Sequence, residues 1–188
     1  FIGIKTLVIT DIDSVKKEIL LKDDGSPKLT NKGKERKADK ACRVKDGEKS
    51  TNPSLQYFFQ KLSLKNLIAL PKEHKRFKKE DVWKVDISGL LQINFQTEQN
   101  GYHARSFEDA FFSIQKNIEF IKRNRSKFKG LKNVRFFYDT TKDAYDQAEK
   151  CIDSKSTFAI DILLLSSENN FADWETPNYI KEGLLWLK

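Results

Sequence analysis

No stretch restricts the fold more than Ile4-Lys-Thr-Leu-Val-Ile-Thr10, an apolar, β-branched run followed directly by Asp11 and Asp13. A run of that length reads as a strand covered on both faces, as strands of parallel sheets are. In open parallel sheets, ligands settle just beyond the carboxyl ends of the strands. Alternation along an extended chain turns positions 11 and 13 the same way. Two carboxylates so placed repel each other unless a cation lies between them, and a hard divalent ion such as Mg²⁺ takes oxygen ligands of this kind. A plainer reading makes Asp13-Ser14 the cap of a helix over Val15 to Leu20 and Asp11 a turn residue.

The 188 residues suffice for one domain with its own core. Nothing approaches the run of about 18 apolar residues that crosses a membrane; Phe158–Leu165 is short and carries Asp161. Cys42 and Cys151 lack the spacing of a zinc site or a disulfide framework, which points to a reducing, cytoplasmic setting. The chain opens into strand-like sequence without a Met and so reads as a piece of a longer protein. A net charge of +8 suits a polyanionic partner, and the charge is partly clustered. Residues 22–49 carry ten Lys/Arg against six Asp/Glu, and residues 71–84 carry six against three. Such stretches either keep a loop in solution or contact nucleic-acid phosphates.

After the first strand a short helix is expected over 14–21, then a long, mobile, charged loop over 22–52. Asn52-Pro53 starts a helix with Leu55, Phe58, Phe59 and Leu62 on one face. Leu91–Thr97 alternates apolar and polar residues, the pattern of a strand with one covered face. Ser106-Phe-Glu-Asp109 forms an acidic capping box, opening a helix that runs to about Arg125. Further helices are expected over Asp143–Cys151, over Phe158–Leu165 with Ser156 or Thr157 as cap, and from Thr176-Pro177 to Leu187. Strands alternating with helices indicate an α/β domain.

Glu108, in the first turn of the capping-box helix, is the third carboxylate of interest. Helix N-termini favour acids by about 0.3–1 kcal/mol, so a stabilising role stands beside a ligand role. Lys155 precedes a helix, where its charge opposes the dipole; stability does not explain it, whereas a fixed charge beside a phosphate does. Arg105, near Glu108, reads as an orienting ion pair or a phosphate contact. The two histidines, His74 and His103, are too sparse for a metal cluster or a Ser–His–Asp triad. Trp83, Trp174 and Trp186 read as core or docking residues.

Four blocks together resemble the C-terminal Toprim region of OLD-family (overcoming lysogenisation defect) nucleases. They are residues 4–14 with the Asp-x-Asp, Thr51-Asn52, Gln96–Phe111 with Arg-Ser-Phe-Glu-Asp, and Thr176–Leu187 with Tyr-Ile-Lys-Glu-Gly-Leu-Leu-Trp. The resemblance implies a single Toprim-like domain over 1–188, a parallel sheet flanked by helices, with a basic loop and helical elaboration at 22–85. It implies a DNA endonuclease in which Asp11, Asp13 and Glu108 hold Mg²⁺ or Mn²⁺, two ions in the complete site, with Ser106 and Asp109 as lesser candidates. Lys155 matches the family's catalytic lysine. It also implies an N-terminal ABC-type ATPase that binds ATP, and a homodimer. The family's glutamate, which lies upstream of the Asp-x-Asp strand, has no counterpart here, and no Walker motif occurs. On that reading the chain carries half of a metal cage and does not cut DNA alone. Two rivals are a topoisomerase or primase Toprim module and a non-catalytic DNA-binding or assembly domain.

Overall fold

Thr6–Ile9 forms strand β1 and pairs in parallel with Leu91–Asn94, with Val8 opposite Ile93. The computed structural model describes residues 3–60 and 62–188. Between those paired strands lie β2 (Ser14–Ile19), β3 (Lys37–Ala41), β4 (Lys49–Ser50), helices α1 (Pro53–Phe58) and α2 (Leu64–Ile68), and strands β5 (Arg76–Lys79) and β6 (Trp83–Val85). Leu91–Asn94 is therefore β7. After it come α3 (Phe107–Phe112), α4 (Gln115–Asn124), α5 (Ala144–Cys151), α6 (Lys155–Ser166) and α7 (Asn178–Leu187).

The molecule is a mixed α/β fold with two sheets, one of order β1-β7-β5-β6 and one of order β3-β2-β4. The expected all-parallel sheet is corrected to a mixed one: only β1 and β7 run parallel, while β5 is antiparallel to both β6 and β7. The cause is connection length. A parallel neighbour needs a long crossover, and the chain between β1 and β7 supplies one; β5 and β6 are joined by three residues and can only form a hairpin. Gly89, just before β7, has no room for a side chain, since a Cβ there would lie 2.2 Å from the Phe77 carbonyl oxygen. All four residues of β7 are buried, polar ones included, so both faces are covered rather than one. Gln92 and Asn94 meet this burial by bonding each other at 2.8 Å, and Asn94 Nδ2 donates to the Tyr179 carbonyl at 2.7 Å.

The helix expected over 14–21 is a strand, β2. Pairing at long range overrides local spacing here. β2 lies between β3 and β4, and Asp39 with Lys17 and Lys49, and Glu18 with Lys40, form cross-strand ion pairs on a charge-rich sheet, Lys16 joining Glu18 along β2 itself. The loop expected over 22–52 is likewise largely β-structured. Its arms are held by Lys28 N–H to Leu20 O and Arg36 N–H to Lys28 O, both 2.7 Å, with turns at Gly25 and Gly33. Lys28, Lys32, Lys34, Arg36 and Lys37 stand exposed along this arm. The basic segment 71–84 supplies β5 and β6.

Asn52 caps α1 as its sequence indicates, its Oδ1 accepting from Ser54 and Leu55 N–H. The helix stops at Phe58, however, so Leu62 lies outside it. The long helix expected from Ser106 is broken between Phe112 and Gln115 into α3 and α4. The cap of α6 is Ser154, not Ser156 or Thr157: Ser154 Oγ accepts the Thr157 N–H, and Lys155 becomes the first helical residue.

Two cores result. One lies between the four-stranded sheet and α1–α2, around Ile12, Leu55, Phe59, Phe77, Ile93 and Phe95. The other joins α3–α6 around an aromatic cluster in which the Phe158 ring lies 5.7 Å from Phe111 and 5.4 Å from Phe112. Trp174 packs on Phe111 and donates its indole N–H to Ser166 Oγ at 3.1 Å. Cys42 and Cys151 are free and buried. Helix α7 lies on β1 and β7 at Gly183, where a Cβ would meet Leu7 Cδ1 and Asn94 Nδ2 at 2.9 Å. Among the described residues no helix is long and apolar enough to cross a membrane.

Candidate metal centre

The carboxyl ends of β1 and β7 open onto a groove of about 420 Å³ lined by Thr10, Asp11, Asp13, Asn52, Phe107 and Tyr179. The extended backbone does not persist through it. Ile12 is fully buried in the sheet core, and Asp13 adopts a left-handed backbone with φ of 51°. Asp tolerates this conformation better than most residues, and the neighbours hold it there. Asp13 N–H donates to Arg105 O at 3.0 Å, and Asp13 O accepts from Thr51 N–H and Oγ at 3.1 Å. Asp11 and Asp13 thus reach one groove through a kink rather than through strand alternation.

Each carboxylate has a different environment. Asp11 Oδ1 accepts from Gln96 Nε2 at 2.6 Å, and the same amide's Oε1 takes the Ile12 N–H at 2.9 Å. Burial pushes the Asp11 carboxyl up to about 6 against the pull of Gln96, and the charges of Glu108 and Asp13 push the same way. Asp13 faces Arg105 Nη2 and Asn52 Nδ2, both at the long distance of 3.5 Å. Arg105 therefore turns to Asp13 rather than to Glu108, and its Nε is buried without a partner among the described residues.

Glu108 is buried at the start of α3, and its Oε2 receives Lys155 Nζ at 3.0 Å. The two are 47 positions apart in sequence, and the Lys155 side chain is 65% exposed, so it reaches inward from the surface. Lys155 also lowers the Asp11 carboxyl, the weakest of the influences on it. Asp109 differs from the others. Its carboxylate takes the N–H groups of Arg105 and Ser106, the Ser106 hydroxyl and the Tyr102 hydroxyl, which fills it and fixes the loop entering α3. Ser106 and Asp109 are thus fully engaged with each other, as a capping box requires.

Among the described residues no three His, Cys, Asp or Glu side chains close into a ready cation cage. The donor chemistry nevertheless suits a hard divalent ion. Asp11 is a carboxylate whose burial and acidic neighbours leave it short of positive charge, and Asp13 lines the same groove with only distant partners. Gln96, Asn52 and Tyr179 are the positioning residues that sequence reasoning misses. Asn52 stands out only as a cap, although its Nδ2 also donates to Thr10 Oγ1 at 2.8 Å. Nothing in the local pattern around Gln96 or Tyr179 marks either as reaching Asp11. No protein-family model, curated protein or solved structure matches this chain.

Proposed function

We propose that this chain is a divalent-metal-dependent DNA endonuclease domain, with a Toprim-like arrangement of the kind found in OLD-family nucleases. The observation that supports it best is convergence. Asp11 and Asp13 follow one strand, Glu108 opens a helix nearly 100 positions later, and Lys155 opens another, yet Asp13, Glu108 and Lys155 all bear on the Asp11 carboxyl, and Lys155 Nζ meets Glu108 at 3.0 Å. Asp11, Asp13 and Glu108 would hold Mg²⁺ or Mn²⁺. Such an ion, held there, would supply Lewis-acid chemistry for water activation and for stabilising charge on a phosphoryl group. The chain's own residues orient and neutralise. Gln96 fixes Asp11, Arg105 and Asn52 steer Asp13, and Lys155 sets a cation against charge developing on a transferring phosphate. The exposed lysines of the 22–49 arm contact the duplex backbone without reading sequence. An ABC-type ATPase elsewhere in the parent protein and a homodimer belong to the same proposal.

Titration with Mn²⁺, followed by paramagnetic resonance, tests the reading directly. The wild-type chain is expected to bind the ion saturably, and Asp11→Asn to weaken binding by about tenfold or more. Binding that is indifferent to Asp11→Asn and to Glu108→Gln would overturn it. One observation favours a second reading, a non-catalytic assembly domain: Glu108 and Asp13 already have protein cations, and Lys155 and Arg105 could serve as braces between α3, α6 and the β1 end. That reading expects no carboxylate-dependent Mn²⁺ binding.

A further inference from the structure

Tyr179 also lines a second pocket, of about 200 Å³, between the segment before β5, strand β7 and helix α7. Lys75 lines it and is unusual. It is 94% buried (6% exposed), and among the described residues it makes no hydrogen bond or ion pair. Its ammonium instead sits 3.9 Å from the centroid of the Phe95 ring. Its stem is buried while its ammonium opens onto the pocket, and with no acceptor from the protein among the described residues, a ligand or solvent in that pocket must supply one.

Glu182 favours the Lys75 ammonium only in part, because it is itself ion-paired. Lys72 and Glu182 line the pocket but neutralise each other at 2.6 Å. Arg76 is held by neutral acceptors, Gln92 Oε1 at 3.0 Å and Ile87 O at 3.4 Å, and so keeps its charge. Trp186 closes the outer wall, with the Arg76 guanidinium 5.9 Å from its ring. Two uncompensated cations thus face a small cavity with an aromatic wall.

We propose that this pocket is a phosphate-binding site, with Lys75 as its principal cation and Arg76 as the second. A phosphate would supply the acceptor oxygens that Lys75 lacks. Two sources share that chemistry: a backbone phosphate of a nucleic-acid strand, and a free phosphate ester. Tyr179 lines both this pocket and the acidic groove, so a strand lying in the groove can set a neighbouring phosphate here. The strand as source rests on the nuclease reading, whereas the anion site does not.

The experiment is a metal-free titration of the whole chain, monitored by ¹H–¹⁵N spectra at Trp186 and Thr97, with inorganic phosphate and then with a short oligothymidylate. Inorganic phosphate is expected to shift both residues saturably. Lys75→Met should weaken binding by about tenfold or more, and Lys75→Arg should restore most of it. The oligonucleotide should produce the same shifts at lower concentration. Phosphate binding without oligonucleotide binding overturns the strand as source and assigns the pocket to a free ester. If neither probe shifts these residues in the wild-type protein, or if the shifts lie elsewhere, the site is refuted, whether or not Lys75→Met folds. Asp11→Asn should leave the phosphate titration unchanged, which separates failure of this site from failure of the metal site.

Discussion

Tyr179 lines two pockets that hold charges of opposite sign, the half-buried Asp11 and the buried Lys75. On one side, burial and neighbouring acids push the Asp11 carboxyl up to about 6; on the other, burial pushes the Lys75 amine down to about 8. The half-buried Arg43 is paired closely instead. Arg43 lies 2.6 Å from Asp143 and 2.7 Å from Asp146, and those carboxylates hold it well above its ordinary range. The contrast separates charge that braces the fold from charge that lacks a counter-ion. A group left in the second condition destabilises the protein and calls for a ligand of opposite sign. Asp11 calls for a cation, and Lys75 for an anion.

The sharpest break in this comparison is Asp11→Asn. It keeps the Gln96 contact within reach of a side-chain amide but removes the charge. Metal-dependent DNA cleavage by the parent protein should fall by about 100-fold or more, read by conversion of supercoiled plasmid. Unchanged cleavage would move Asp11 out of the chemistry altogether.

Lys75→Met probes the other side through pH. Lys72 disfavours the proton of Lys75 and Glu182 favours it; Arg76 carries the same sign, and His103, which Lys75 pushes toward its neutral form, adds no charge in this range. Below about pH 8 the amine is protonated in both the folded and unfolded chains, and the wild type carries the full burial penalty. Between pH 8 and about 10.5 the folded state has released its proton while the unfolded state still holds one, so wild-type stability rises. Lys75→Met should therefore be more stable than wild type by about 2 kcal/mol at pH 7, a figure discounted for the Phe95 ring contact, and the difference should vanish above that window. Denaturant melts across the pH range measure it. A pH-independent difference would mean that the amine is already compensated.

How much of this is legible in the sequence divides along the range of the interactions. Local chemistry reads correctly at the strand that precedes Asp11, although β1 ends at Ile9 and is a half-exposed edge strand rather than one covered on both faces, at the Asn52 cap, at the Ser106–Asp109 box, and at Asp143, whose carboxylate takes the Asp146 N–H at 3.0 Å to start α5. Each signal lies within four residues of what it specifies. The stretch 14–21 reads as a helix because its pairing partners, Lys37–Ala41 and Lys49–Ser50, are distant and themselves look like loop. Asp24-Gly25 is the one local hint of a hairpin, with Ser26 N–H donating to Asp24 Oδ1 at 2.8 Å. The Lys155–Glu108 contact has no local signature; only the family resemblance sets the two side by side. Lys75 is one of 35 basic residues, and no pattern in sequence separates a buried lysine from the exposed ones around it.

Gly183→Ala tests the spacer between the two sites. A methyl at 183 meets Leu7 and Asn94 at 2.9 Å, and Asn94 in turn holds the Tyr179 carbonyl. Lifting α7 by a few tenths of an ångström should cost about 1–2 kcal/mol in a chemical melt. Both the Mn²⁺ and the phosphate titrations should weaken together, since Tyr179 lines both pockets. Weakening of one alone would show that the two sites are positioned independently.

The smallest stability effect belongs to Lys155→Met, and it decides between the nuclease and the brace. The Lys155–Glu108 pair is half in water, with one side chain 65% exposed and the other 8%, so its loss should cost no more than about 1 kcal/mol. A brace would reveal itself in that melt and nowhere else. A residue that meets charge on a transferring phosphate should instead lower kcat of the parent by about tenfold or more while leaving Mn²⁺ affinity nearly unchanged, because Lys155 donates no oxygen to the ion. Lys155→Arg keeps the charge but replaces a compact ammonium with a planar fork, and should recover only part of the rate. Full recovery with arginine would identify a simple requirement for positive charge. No loss of rate in Lys155→Met would leave Glu108 as the sole reason for the lysine's inward reach.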